Sequence, residues 1–139
     1  MLRVPLLLAA CVSAANGMQN FDATFAVTLA PGEKAEFTIR CHPAWAPLAA
    51  ERFRTLIDDG FFSNVRFFRV VAGFMVQFGI SGKPTIATEW REKKMTDDPV
   101  VKSNTRGMLS FATSGKDSRT TQMFINFGDN SRLDGMDFA

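Results

Sequence analysis

Arg69 lies in an oily run. The stretch Phe67 to Gly82, FFRVVAGFMVQFGISG, sets this one arginine among phenylalanines and valines and follows it with Phe74, Met75 and Gln77. A guanidinium is costly to desolvate unless it is paired or put to use. A second strand-like run, Thr121 to Phe127 (TQMFINF), brings Gln122 and Phe124 to one face and Met123, Ile125 and Phe127 to the other, which reads as core. Together they suggest a small apolar pocket with a cation and an amide at its lip. Such a pocket suits a proline ring and the tertiary amide before it. On pattern alone, two plainer readings stay open: a salt-bridged surface arginine, and an ordinary half-exposed strand face.

Other chemistries find little support. Cys41 would need a base to act as a nucleophile, and the one histidine, His42, is its immediate neighbour in a CHPAW connection; a buried or half-exposed free thiol is expected. Gly115-Lys116 lacks the remaining glycine and hydroxyl of a phosphate loop. A net charge of +2 over 139 residues gives no polyanion-binding surface, so nucleic acid is not an expected partner. With 46% hydrophobic and 22% charged residues the chain is an ordinary globular one, long enough for a single domain. Fourteen Phe and no Tyr predict an oily core.

The elements that must hold these residues are mainly β. Phe25, Val27 and Leu29 alternate with threonines, and Ala35, Phe37 and Ile39 with Glu36, Thr38 and Arg40. Pro31-Gly32 between them predicts a hairpin. Pro47 to Asp59 reads as a helix with Ala49, Phe53, Leu56 and Ile57 on one face and Gly60 as its stop. Strands are expected at Val65 to Val71, Phe74 to Phe78, Met108 to Thr113 and Gln122 to Phe127. In the first of these, Val65, Phe67, Arg69 and Val71 share a side. Gly79 to Val101, with its nearly cancelling charges, is expected to be a solvated excursion holding at most one helical turn. Short strands divided by turns point to a barrel or sandwich.

The N-terminus reads as a targeting segment. Arg3 is a short basic region, Val4 to Val12 an apolar run too short to span a bilayer, and Ser13-Ala14-Ala15 a cleavage site. The expected division is a signal peptide at 1–15 and a domain at 16–139, with entry into the secretory pathway. Leu8-Ala9-Ala10-Cys11 also has the form of a lipoprotein box, the less favoured alternative.

The blocks RFFRVVAGFMVQFG, GMLSFATSG and TTQMFINFGDN-SRLDG, in that order, resemble the signature blocks of the cyclophilins, the cyclosporin-binding peptidyl-prolyl cis-trans isomerases. PLAAERFRTLIDDGFF is similar to the helix and turn before them, so the likeness covers roughly residues 21 to 139. It implies a closed eight-stranded antiparallel barrel with two capping helices, of which this chain would lack the last strands and the second helix. It implies a catalytic role for Arg69 and substrate contacts from Phe74, Met75, Gln77, Ala112, Thr113, Gln122, Phe124, Arg132, Leu133 and Asp137. It also implies a monomer that binds proline-containing polypeptides and uses no metal or other cofactor. The sequence departs from the pattern at Phe68, where a His is usual, and at Ala72, where Pro is common. Arg132 stands where many members carry Trp and Asp137 where many carry His, so cyclosporin binding is expected to be weak. Two alternatives to an isomerase are a cyclophilin-fold module that binds proline peptides with little catalysis, and an exported structural β-domain.

Overall fold

The computed structural model describes residues 17–139, so the expected signal segment and Cys11 lie outside the described residues. The hairpin forms as the alternation predicts. β1 (Phe21–Ala30) pairs antiparallel with β2 (Glu33–Cys41), with Phe25 opposite Phe37 and their rings stacked 5.1 Å apart. Gly32 turns the chain at φ +79°, a conformation that costs glycine little.

Helix α1 (Pro47–Asp58) starts on a proline, whose missing N–H has no intrahelical partner to lose. No side chain at Ala46 caps it. The Asp98 carboxylate does so from a distance, accepting the Leu48 and Ala49 amides at 2.9 Å each. The helix ends in a Schellman arrangement: Phe61 N–H donates to the Leu56 carbonyl and Gly60 N–H to that of Ile57, with Gly60 at φ +65°. Ala49, Ala50, Phe53 and Leu56 are buried. Full burial of Phe53 or Leu56 stabilises the fold by roughly 1.5–3 kcal/mol each.

A four-stranded antiparallel sheet follows. It comprises β3 (Arg69–Val71), β4 (Met75–Phe78), β5 (Leu109–Phe111) and β6 (Met123–Asn126), in the order β3-β4-β6-β5. One face carries Phe78, Met123 and Phe111 into a core shared with Ala23, Phe53, Leu56 and Phe61. On the other face Met75 and Phe124 meet Leu133, which comes from a 3₁₀ turn at Ser131–Met136.

The described residues hold six strands, in sheets of two and four, an open arrangement that fits the mainly β fold expected. Several other expectations are corrected. The strand expected at Val65 to Val71 is only Arg69–Val71, because its partner β4 is short. β4 stops at Gly79 (φ +103°), where a Cβ would stand 2.2 Å from the Thr121 carbonyl oxygen. Phe127 is not core; it is exposed past the end of β6. The excursion from Gly79 to Val101 is not simply solvated. It contains α2 (Pro84–Arg91), which buries Trp90 edge-on against Phe61, and it delivers the buried Asp98.

Candidate active site

Strand register builds the site. Arg69 lies opposite Gln77 across β3–β4, and Gln77 opposite Phe124 across β4–β6. Directly opposed residues share a face, so these three form one row, and Met75, two residues before Gln77, joins them. Around this row Arg69, Phe74, Met75, Gln77, Ala112, Thr113, Phe124, Leu133 and Phe138 line a hollow of about 150 Å³.

Three of the polar groups form a directed chain. Arg69 can only donate, so the Gln77 oxygen must face it, at 3.3 Å. The Gln77 amide nitrogen then donates to the Gln122 side-chain oxygen at 2.9 Å, which leaves the Gln122 NH₂ as the donor at that end. Both ends of the chain are thus donors, fit to meet carbonyl oxygens or a nitrogen lone pair. The hollow's base is apolar, formed by the buried Met75, Phe124 and Leu133.

The remaining expected residues sit at the margin. Arg132 does not line the hollow but lays its guanidinium 4.9 Å from the Phe74 ring centroid. Asp137 is exposed, at φ 61°, and outside the lining. Its neighbour Phe138, which the sequence did not single out, enters the lining and meets Phe124 edge-on at 5.6 Å.

Beneath the hollow runs a buried asparagine network that was also missed. The Asn130 side-chain amide donates to the Phe74 carbonyl (2.8 Å) and to the Asn126 side-chain oxygen (2.7 Å). The Asn104 amide donates to Asp134 (2.9 Å) and to the Phe138 carbonyl (2.7 Å), and the Asn104 side-chain oxygen accepts from Ser110 (2.7 Å). Two residues of the wall, Phe74 and Phe138, are thereby held through their backbone carbonyls. The hydrogen bonds from Ser103 and Asn104 hold the Asp134 carboxyl below the usual carboxylate range. Asn126, a polar residue inside TQMFINF, was the available signal.

A larger hollow of about 460 Å³ opens on the other face of the sheet, between β2 and β5, with Ile39, Cys41, Ala49, Phe53, Leu109 and Phe111 on its walls. Among the described residues the side chains of its polar lining, Thr38, Arg40, His42, Lys102, Ser103 and Ser110, are not hydrogen-bonded to one another. Burial pushes the Cys41 thiol up to about 11, so it is not a ready nucleophile.

The chain has relatives among known proteins. A peptidyl-prolyl cis-trans isomerase-like 3 of Dictyostelium discoideum is 37% identical over 63% of this chain and 56% of its own length. A peptidyl-prolyl cis-trans isomerase-like 1 of Emericella nidulans is 32% identical over 82% of this chain and 69% of its own. The chain spans about half to two thirds of the length of the curated relatives it matches. In fold it resembles a cyclophilin-type isomerase of Cryptosporidium parvum crystallised in the presence of the dipeptide Ala-Pro, with a TM-score of 0.63, 22% identity, and coverage of 75% of this chain and 68% of that one. The family described as cyclophilin type peptidyl-prolyl cis-trans isomerase matches residues 25–139, which include every residue of the hollow, and it is to this family that the chain belongs.

Proposed function

We propose that the protein is a peptidyl-prolyl cis-trans isomerase that rotates X–Pro bonds in polypeptides and so assists their folding. The observation that carries this is the row Arg69–Gln77–Phe124 beside an apolar hollow of proline size. The curated relatives' names support the activity. The Ala-Pro dipeptide present with the Cryptosporidium protein supports a proline-peptide substrate.

The chemistry asks little of the protein beyond placement. The barrier to rotation, about 18–20 kcal/mol, comes from donation of the nitrogen lone pair into the carbonyl. Rotation makes and breaks no bond. As the amide twists, the prolyl nitrogen becomes pyramidal and its lone pair localises. A guanidinium beside that nitrogen can then donate a hydrogen bond that the planar amide cannot accept, so the stabilisation is differential. One charge-assisted hydrogen bond contributes about 1.5–3 kcal/mol, or roughly 10- to 200-fold in rate. The ring would be gripped by Phe74, Met75, Phe124 and Leu133, and the flanking backbone by Gln77 and Gln122, with the segment Ala112-Thr113, just past β5, beside it. Asp137 and Arg132 would form the outer rim.

Three finer proposals accompany this one. The fold closes to the eight-stranded barrel of its family when further strands pair with the free edges of β2 and β5; the apolar groove between those edges supports it. Cyclosporin binds weakly, because Arg132 offers the drug no flat apolar surface. The protein enters the secretory pathway, on the strength of Arg3 and the apolar run Val4 to Val12.

The test is isomerisation of an X–Pro peptide by the wild type and by Arg69→Ala, with peptide affinity and unfolding measured on both. The expected result is a loss of roughly 10- to 100-fold in kcat/KM with affinity little changed. A protein that binds proline peptides but does not turn them over would be a binding module. An Arg69→Ala variant with full specific activity and lowered stability would make Arg69 a structural residue.

A further inference from the structure

Arg119 is completely buried, and the rotation chemistry gives it no part. Its guanidinium lies 3.1 Å from Asp97 and 3.1 Å from Asp98, and it also donates to the Thr96 carbonyl. The Asp97 contact is not aligned as a hydrogen bond, and Nη1 has no partner among the described residues. An ion cluster so buried and so imperfectly matched is a poor source of stability, since desolvation takes back much of what the attraction returns. What it supplies is placement. Asp98 is fixed by the first-turn amides of α1. Asp97 and Asp117 are locked to each other, the backbone N–H of each donating to the other's carboxylate at 2.8 Å. The Arg119 carbonyl itself accepts the Met95 amide at 3.0 Å.

The residues that follow are held one by one. The Thr120 carbonyl accepts from Arg52 at 2.8 Å, the Thr121 hydroxyl donates to the Gly79 carbonyl at 2.8 Å, and the Gln122 side chain accepts from Gln77. The loop carrying Arg119 also begins and ends at the hollow, where the Ala112 amide donates to the Gln122 carbonyl at 2.8 Å. A fixed segment therefore runs from a buried cation to the amide at the lip of the site. Arg52 lies close enough to Arg119 for their charges to oppose each other, which leaves the two aspartates to hold Arg119 in place.

We propose that Arg119, clamped by Asp97 and Asp98, is a positioning residue that sets the Gln122 amide and, through Gln77, the Arg69 guanidinium for X–Pro rotation. This rests on the isomerase function proposed above. The test has one readout that needs no activity. In Arg119→Met, similar in length but uncharged, the side-chain NH₂ signals of Gln122 and Gln77 should move or broaden in NMR spectra, while the β1–β2 backbone signals stay in place. Asp97→Asn, a gentler change at a partly exposed position, should move the same signals in the same direction and covers the case of an Arg119→Met that does not fold. In turnover, Arg119→Met should lower kcat about 10-fold with KM changed less than about 2-fold, and should cost nothing further in a Gln122→Ala background. Unmoved glutamine signals in a folded variant overturn the proposal, as does a rate loss that adds in full to that of Gln122→Ala. A wild type without turnover would defeat the isomerase function and with it the catalytic purpose of Arg119, while the glutamine signals would still decide whether Arg119 sets Gln122.

Discussion

Arg69 is tethered to Gln77 by a single hydrogen bond of 3.3 Å, past the usual range for such bonds. A guanidinium carries five N–H donors. In the proposed rotation, one long bond would aim the group and leave it free to follow a nitrogen that moves as it pyramidalises. Arg132 contrasts with it, since its charge is spent on the Phe74 ring beside the hollow. A cation–π contact at an exposed site contributes about 0.5–1 kcal/mol and offers a large apolar ligand a hydrated charge instead of a flat surface. Arg132→Trp should therefore tighten cyclosporin by about 10-fold, read by calorimetric titration, as a buried indole replaces the guanidinium. Unchanged affinity would put position 132 outside the drug's footprint.

Among the elements, the 3₁₀ turn Ser131–Met136 has the most demanding task. It must press Leu133 into the hollow without a strand partner, and Asp134 anchors it to Ser103 and Asn104. Those bonds lower the Asp134 pKa, so the folded state releases its proton more readily than the unfolded chain. The resulting stabilisation is complete above about pH 4 and is lost as pH falls through the depressed value. Asp134→Asn should lower Tm at pH 7 and flatten its decline below about pH 4. A variant with an unaltered acid limb would show that the turn does not depend on this carboxylate. The hairpin and α1 were legible because Phe25, Phe37, Phe53 and Leu56 repeat at strand and helix periods. The turn was not, because its anchor lies some thirty residues away and carries no local period. In α2 the clue, Pro84 with Ile86 and Trp90 one helical turn apart, was outweighed by the surrounding charges.

At the scale of the molecule, the small hollow and the larger groove lie on opposite faces of one sheet. The hollow's lining comes from β3, β4, the turn between them, β6, and the segments that follow β5 and β6. The apolar half of the site was legible because its blocks are contiguous. Arg119 was not, because its two aspartates come from a stretch whose charges nearly cancel when merely counted along the chain. The groove, by contrast, leaves edges of β2 and β5 without strand partners among the described residues. Unpaired edges beside apolar walls invite pairing between molecules. Residues 16–139 alone should associate as concentration rises in light scattering. A cooperative unfolding transition of a strictly monomeric species would count against open edges as a liability.

Cys41 stands in the wall of that groove, its thiol pushed up to about 11. Near neutral pH only about one molecule in ten thousand carries the reactive thiolate. The sulfur is therefore a slow clock: the pace at which a maleimide consumes it depends on how often the groove stands empty. A strand or detergent seated between β2 and β5 would slow that clock, while a proline peptide on the opposite face would leave its rate unchanged.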